Sequence, residues 1–462
     1  MGSLPKKLSR NLPFALAALK HPITAKRVFD LWRNPGAPDP KQLRAAASGS
    51  KNAHWPASVR ARVAESLYIN GQFDDAFELL NQKAAMPTRM MEGWLSLFLG
   101  KTEHATRIFS ALSDRPSSRY EALKNSAYAL YLQGELDAAI GTVTAAIANN
   151  PARMPAITLL SRIVRNEQEI ERVLGEKQRI ARKGLTLASS AQLIRACGRA
   201  SAWRYAEHIA ADAVINLPFT ADQPNAGNSA TGLPKGSYTS KKGNLILRHF
   251  DEVAENSGVR FFLMGGTLLG LVRDNALLPW DKDLDFGCFV EEATIQDLWE
   301  IFSASPYFLP MGTVDDKLIK LRHVSGVTVD IFVNHKDGDL RWHGGQFVCW
   351  QDKAFNLRPL EFRGAKFYVP ESAEAYLENH YGSNWRKPDP GFDVFWEAPD
   401  VFNVNEKYRY ANTLAKGLQF LAGAALSGLE TRLNRAAAGG AEDVAGAYRF
   451  VLNLHDEFHR RG

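Results

Sequence analysis

The stretch Gly265-Gly266-Thr267-Leu268-Leu269-Gly270-Leu271-Val272-Arg273, followed by Pro279-Trp280-Asp281-Lys282-Asp283-Leu284-Asp285, constrains this chain more than any other. A glycine pair at the start of a helix lets backbone N–H groups close on a phosphate. Aspartates at every second position of a strand share one face, which groups Asp281, Asp283 and Asp285. Neighbouring carboxylates repel unless a cation sits between them, and an oxygen-only ligand set suits Mg2+ or Mn2+. A phosphate cradle beside a metal cradle is the apparatus of phosphoryl or nucleotidyl transfer.

A second carboxylate strand lies downstream. In Gly326-Val327-Thr328-Val329-Asp330-Ile331-Phe332-Val333 a charge sits within a β-branched run, where burial is expensive unless the charge is paired or metal-bound. Between the two strands, Lys320 and Arg322 share one face of another strand and are candidates to neutralise a pyrophosphate. Arg273 carries a planar fork suited to phosphate oxygens. A salt bridge to one of the aspartates is its alternative role.

Taken together, these residues resemble the LicD/fukutin family of phosphotransferases, which have the nucleotidyltransferase fold. The shared pattern is a glycine pair, T-L-L-G, an arginine and P-W-D-x-D-x-D. Asp274 departs from it, standing where a histidine or lysine often follows the arginine. The likeness continues through Val369-Pro370, Tyr376-Leu377 and Tyr381-Gly382-Ser383-Asn384-Trp385, so it spans a domain. It implies transfer of a phospho-alcohol (phosphocholine, ribitol phosphate, glycerol phosphate or similar) from a CDP-activated donor to a glycan hydroxyl, in lipopolysaccharide, capsule or other surface polysaccharide modification. It also implies that Asp283, Asp285 and Asp330 are the catalytic carboxylates and metal ligands, with Asp330 a third ligand, a general base, or both. Gly265, Gly266, Thr267 and Arg273 would hold the donor phosphates. Asp281, Lys320, Arg322 and His343 are site-lining candidates; His343 lies in a Trp342-His343-Gly344-Gly345 loop similar to one in the family. Two competing readings stand: a true nucleotidyltransferase acting on a sugar or phospho-alcohol, and a repeat-based scaffold with an inert transferase domain.

Upstream the pattern changes to a helical one. Gly71/Ala76, Gly100/Ala105 and Gly134/Ala139 repeat a glycine with an alanine five positions on. The unit from Leu123 through Gly134 and Ala139 to Pro151 resembles the tetratricopeptide repeat, in which small residues let two antiparallel helices approach. Ala206 and Pro218 mark a degenerate last unit. Such arrays bind a protein partner or brace a neighbouring domain, and both roles stay open. The expected organisation is α+β and multidomain. It comprises a basic arm (1–54), an all-α repeat array (55–218), a polar linker (219–243), a mixed α/β nucleotidyltransferase-fold catalytic domain (244–405) and a C-terminal helical extension (406–462). With a linker of that composition, the part from about residue 238 onward is expected to fold alone.

A formal charge of +6 over 462 residues, without a basic stretch interleaved with aromatics in the manner of an RNA or DNA surface, gives no reason to expect nucleic acid. Three widely spaced cysteines, Cys197, Cys288 and Cys349, fit a reduced compartment and form no zinc motif. The expectation is a cytoplasmic protein. Lys6, Lys7, Arg10, Lys20, Lys26, Arg27 and Arg33, among apolar residues at the N-terminus, add a second reading: peripheral contact with the inner face of a membrane.

Overall fold

A computed structural model of the protein describes residues 56–82, 85–175, 185–216, 240–279, 281–362, 364–389, 391–423 and 425–459. The basic arm and most of the expected linker lie outside the described residues, as does Trp280. The first described region is helical throughout: α1 (Ala57–Ile69), α2 (Phe73–Asn81), α3 (Met86–Phe98), α4 (Thr102–Ser113), α5 (Arg119–Leu132), α6 (Leu136–Asn149), α7 (Met154–Ile163), α8 (Glu167–Gly175), α9 (Leu187–Arg199) and α10 (Arg204–Asn216). The repeating glycines are the inter-helix turns. Gly71, Gly100 and Gly134 have φ of 75°, 68° and 80°, a conformation that costs a side-chain-bearing residue about 1–2 kcal/mol. The paired Ala76, Ala105 and Ala139 are fully buried where each second helix meets the first. The last pair follows the same plan with Ser201 in the glycine's place, at φ 55°, five residues before the buried Ala206.

The second region is built on a mixed ten-stranded sheet. After α11 (Ser240–Ser257) come β1 (Phe262–Leu263), α12 (Gly265–Asp274), β2 (Asp283–Phe289), α13 (Ile295–Ser303), β3 (Phe308–Val314), β4 (Leu318–His323) and β5 (Thr328–Asp337). Then follow β6 (Leu340–Gly344), β7 (Val348–Lys353), β8 (Leu357–Phe362), β9 (Ala365–Pro370), α14 (Ala373–Tyr381) and β10 (Val401–Val404). The main path runs β10-β7-β6-β5-β2-β1-β9-β8, with β4 also pairing β5 and β3 pairing β4. Strands β2 and β5 are parallel neighbours, and β4 runs antiparallel to β5. Three helices close the chain: α15 (Glu406–Ala422), α16 (Leu426–Ala438) and α17 (Glu442–His459). The apolar spacing from Leu414 to Leu433 reads as one continuous helix, but the helix ends at Ala422 with Gly423 as its cap.

The helical array and the sheet share one hydrophobic core that runs from Val59 to Leu452. The seam is built from specific contacts. Tyr128 donates its hydroxyl to the Pro310 carbonyl at 2.7 Å, and Arg199 donates to the Thr313 carbonyl at 3.0 Å, both on β3. Phe73 meets Tyr307, and Tyr131 packs edge-on against Trp299. Helix α9 lies along α15: Arg195 donates to Asn412 and Gln419, and Gly198 leaves room for the Tyr408 ring, which a Cβ would meet at 2.5 Å. A continuous core of this kind argues against independent folding of the C-terminal part, because cutting at the linker exposes the apolar face of β3, α13 and α15. Among the described residues no helix is long and apolar enough to cross a membrane.

Candidate active site

The strand register assembles the carboxylates. Asp285 on β2 lies opposite Asp330 on β5, which lies opposite Lys320 on β4. One rung earlier, Asp283, Thr328 and Arg322 form a second row on the same face. Asp330 is buried and paired with Lys320 through one oxygen, while its Oδ1 has no hydrogen-bond partner. Asp281 adds another buried, partnerless oxygen, Oδ2.

The glycine turn acts differently from the sequence expectation. The Gly266 N–H donates to Asp285 Oδ2 at 3.1 Å, so the N-terminus of α12 faces a carboxylate of this chain. A Cβ on Gly265 would lie 2.6 Å from Asp285 Oδ2, and one on Gly266 would lie 2.5 Å from Asp281 Oδ2. Gly265 also has φ 54°. These glycines admit the aspartates to the helix end. Thr267 is buried and its hydroxyl accepts from the Asp285 N–H at 2.8 Å. Its side chain therefore ties α12 to β2.

The electrostatics are those of a site short of positive charge. Burial, then Asp283, push Asp281 up to about 7. Burial, then Asp330, push Asp283 up to about 6, with Lys320 opposing. Asp285 is raised well above the usual carboxylate range by burial and by Asp283, Asp281 and Asp330, with the Gly266 N–H opposing. Among the described residues no three His, Cys, Asp or Glu side chains are drawn together as a ready-made metal cage. The donor chemistry nevertheless fits a hard divalent cation. Asp283, Asp285 and Asp330 occupy adjacent strands in register, Asp330 Oδ1 and Asp281 Oδ2 lack partners, and Lys320 is the cation paired with Asp330.

Beside the row opens a cavity of about 730 Å³ whose wall includes Gly266, Arg273, Asp281, Tyr381, Asn384 and Lys387. Asp274, the departure noted in the sequence, grips Arg273 bidentately at 3.1 and 3.0 Å through Nε and Nη2. Arg273 thus pairs with its neighbour and with none of the three motif aspartates. Tyr381, Asn384 and Lys387 carried no assigned role in the sequence reading, although the Tyr381–Trp385 element was visible there. Two candidates move. Arg322 does not line this cavity; on the same face of β4 as Lys320, it reaches away to Trp94 of the helical array, with its guanidinium 5.3 Å from the ring centre. His343 is buried against Trp350 and Phe332, and burial pushes it down to about 3, so it is a neutral core residue away from the cavity.

Comparison with known proteins agrees with this architecture. Residues 258–372 match the family model described as LicD/FKTN/FKRP, nucleotidyltransferase domain, and the chain contains a LicD domain there. The ribitol-5-phosphate transferase FKTN of Homo sapiens is 30% identical over 169 residues, covering 35% of this chain and 37% of the relative. The same-named protein of Mus musculus is 28% identical over 169 residues, with the same coverage. The ribitol 5-phosphate transferase FKRP of Homo sapiens is 44% identical over 45 residues, which is 10% of this chain and 9% of the relative. The match to FKTN therefore spans little more than a third of that relative's length.

Proposed function

We propose that this chain is a divalent-cation-dependent phosphotransferase that moves a phospho-alcohol from a cytidine-diphosphate donor to a glycan hydroxyl. The observation that carries the reading is the carboxylate row: desolvated, mutually repelling aspartates on adjacent strands, beside a helix N-terminus and a cavity of nucleotide size. The likeness to the ribitol-phosphate transferases supports it.

Asp283 and Asp285 would hold Mg2+ or Mn2+, with Asp330 within one strand of them. Such a cation supplies charge neutralisation and Lewis acidity at a donor phosphoryl oxygen. Arg273 is fixed by Asp274, which leaves Nη1 for a donor phosphate, and Lys387 adds a second cation to the same wall. Lys320 holds one oxygen of Asp330 and so orients the other, which takes the proton of the attacking glycan hydroxyl. The hydroxyl oxygen forms a bond to the distal phosphorus, and the bond from that phosphorus to cytidine monophosphate breaks.

The test is product analysis of the purified protein with CDP-ribitol, CDP-glycerol and CDP-choline, each with a glycan acceptor. The expected result is release of cytidine monophosphate, abolished by a chelator and restored by Mg2+ or Mn2+. Pyrophosphate as the product would replace this reading with nucleotidyl transfer. Absence of turnover with every donor in the presence of metal would contradict it.

A further inference from the structure

A second cavity, of about 400 Å³, lies between the helical array and β4. Its wall contains Trp94, Asn125 and Tyr128 from the array and Arg322 from the sheet, with Arg162 of α7 between them. Neither Arg162 nor Arg322 has a carboxylate within salt-bridge distance among the described residues; Arg162 donates only to the Met311 sulfur, at 3.1 Å. Burial lowers the pKa of both guanidiniums, the signature of charges taken from water without full compensation. Lys124, the third cation of the wall, is answered by Glu121 at 2.7 Å. Asp330 and Glu65 act on Arg162 and Arg322 only at longer range, so two arginines without a paired carboxylate face one cavity, an arrangement that suits an anion.

The remaining polar atoms narrow the class. Asn125 Oδ1 is buried and has no donor, while its amide nitrogen is turned to the Met90 sulfur. Arg322 Nε is buried and has no acceptor. A ligand that completes this wall therefore brings both hydroxyl donors and a negative charge. Trp94 and Tyr128, stacked on each other 6.0 Å apart at 30°, add apolar ring surface to the cavity wall, which suits the C–H groups of a sugar ring. Inorganic phosphate would use the arginines but not the rings, and a neutral sugar would leave the arginines unpaired.

The position gives the cavity a role. Arg322 and Lys320 share one face of β4, two residues apart, and Lys320 is the partner of Asp330. The larger cavity borders Asp281 and Gly266 on the other flank of the carboxylates. We propose that the cavity between the helical array and β4 binds an anionic saccharide, phosphorylated or carboxylated, and presents it to the Asp330 side of the carboxylate row as the acceptor. Its role as acceptor rests on the phosphotransfer reading above; the binding of an anionic sugar does not. The helical array then supplies half of a substrate site in addition to its contacts with the sheet.

The experiment is calorimetric titration of the full chain with glucose 6-phosphate, glucuronate, inorganic phosphate and glucose, without donor. At least one anionic sugar should bind saturably, about tenfold or more tighter than phosphate or glucose. Arg322→Met and Arg162→Met should each weaken that binding about 10- to 100-fold, since each removes a charge-assisted hydrogen-bond donor. Melting temperature serves as the folding control; removing an uncompensated buried charge should not lower it. If one variant fails to fold, the other carries the test. CDP binding should be unchanged in Arg322→Met, because Arg322 is absent from the larger cavity. The proposal is overturned if neither anionic sugar binds, if binding survives both substitutions, or if phosphate binds as tightly as the sugars. Sugar binding by a protein that releases no cytidine monophosphate would uphold the cavity and remove the phosphotransfer reading.

Discussion

The carboxylate row and the seam between array and sheet are both substantially buried, yet they are built on opposite rules. At the seam, apolar rings meet apolar rings, and the Tyr128 hydroxyl and Arg199 Nη2 find carbonyl acceptors on β3, although Arg199 Nε stays partnerless, as do Arg322 Nε and Asn125 Oδ1 at the smaller cavity. At the row, Asp281, Asp283 and Asp285 are brought together against their own repulsion, and partnerless oxygens remain. Burial at the seam lowers the free energy of the fold. Burial at the row raises it and is tolerated because the surrounding strands and α12 over-determine the geometry. The comparison divides the molecule by what its residues contribute, stability or chemistry, and substitutions should sort accordingly.

The largest expected effect lies at the row. Asp283→Asn and Asp285→Asn should each lower turnover by about a thousandfold or more, the scale of losing a principal charge-stabilising group. Melting temperature in the absence of metal should hold or rise, because a like charge has been removed. A clear drop in melting temperature would mean that the row contributes stability and would break the contrast. Next comes the seam as a whole. The fragment 240–462, lacking the array, should be insoluble or unfolded where the full chain is stable, because its core is continuous with the missing helices. A soluble fragment with cooperative melting would show that the array only decorates the catalytic domain.

Smaller effects sharpen the same division. Gly198→Ala places a methyl against the Tyr408 ring and should cost about 1–3 kcal/mol of stability in denaturant melts, the usual penalty of overpacking. Tyr128→Phe removes one buried hydrogen bond to Pro310 and should cost about 1 kcal/mol of stability in the same melts. The mildest effect is on pH dependence. The row aspartates have folded-state pKa values of about 7 and about 6, above the ordinary value near 3.9. The folded state therefore holds more protons than the unfolded state between those values. Stability of the metal-free protein should fall as pH rises from about 4 through about 7, and Asp283→Asn should flatten that slope. A slope unaffected by the substitution would place the titration elsewhere.

The two regions also differed in how far the sequence revealed them. The array was legible because its glycines and alanines recur in a line, and the turns at Gly71, Gly100 and Gly134 follow directly. Ser201 hid the last turn, since serine at positive φ carries no sequence signal of its own. The carboxylates were legible from their period-two spacing. The service of Gly265 and Gly266 was not, because their partners, Asp281 and Asp285, arrive by tertiary packing. The same limit applies to Arg322: the alternation along β4 gives its face, but not that the array covers that flank. His343 looked like a loop residue beside Gly344-Gly345 and is a core residue of β6, packed against a tryptophan on the next strand.

The contrast between the regions turns on whether the row calls for a cation. The most direct measurement is the melting temperature of the metal-free full chain at about pH 8, titrated with Mg2+ and then Mn2+, for the wild type, Asp283→Asn and Tyr128→Phe. Binding to the folded state alone stabilises it by RT ln(1 + [L]/Kd), about 2.7 kcal/mol at a hundredfold excess over Kd. The account predicts a metal-dependent rise for the wild type and for the seam variant, and none for Asp283→Asn. Equal melting of the wild type with and without either metal would contradict it.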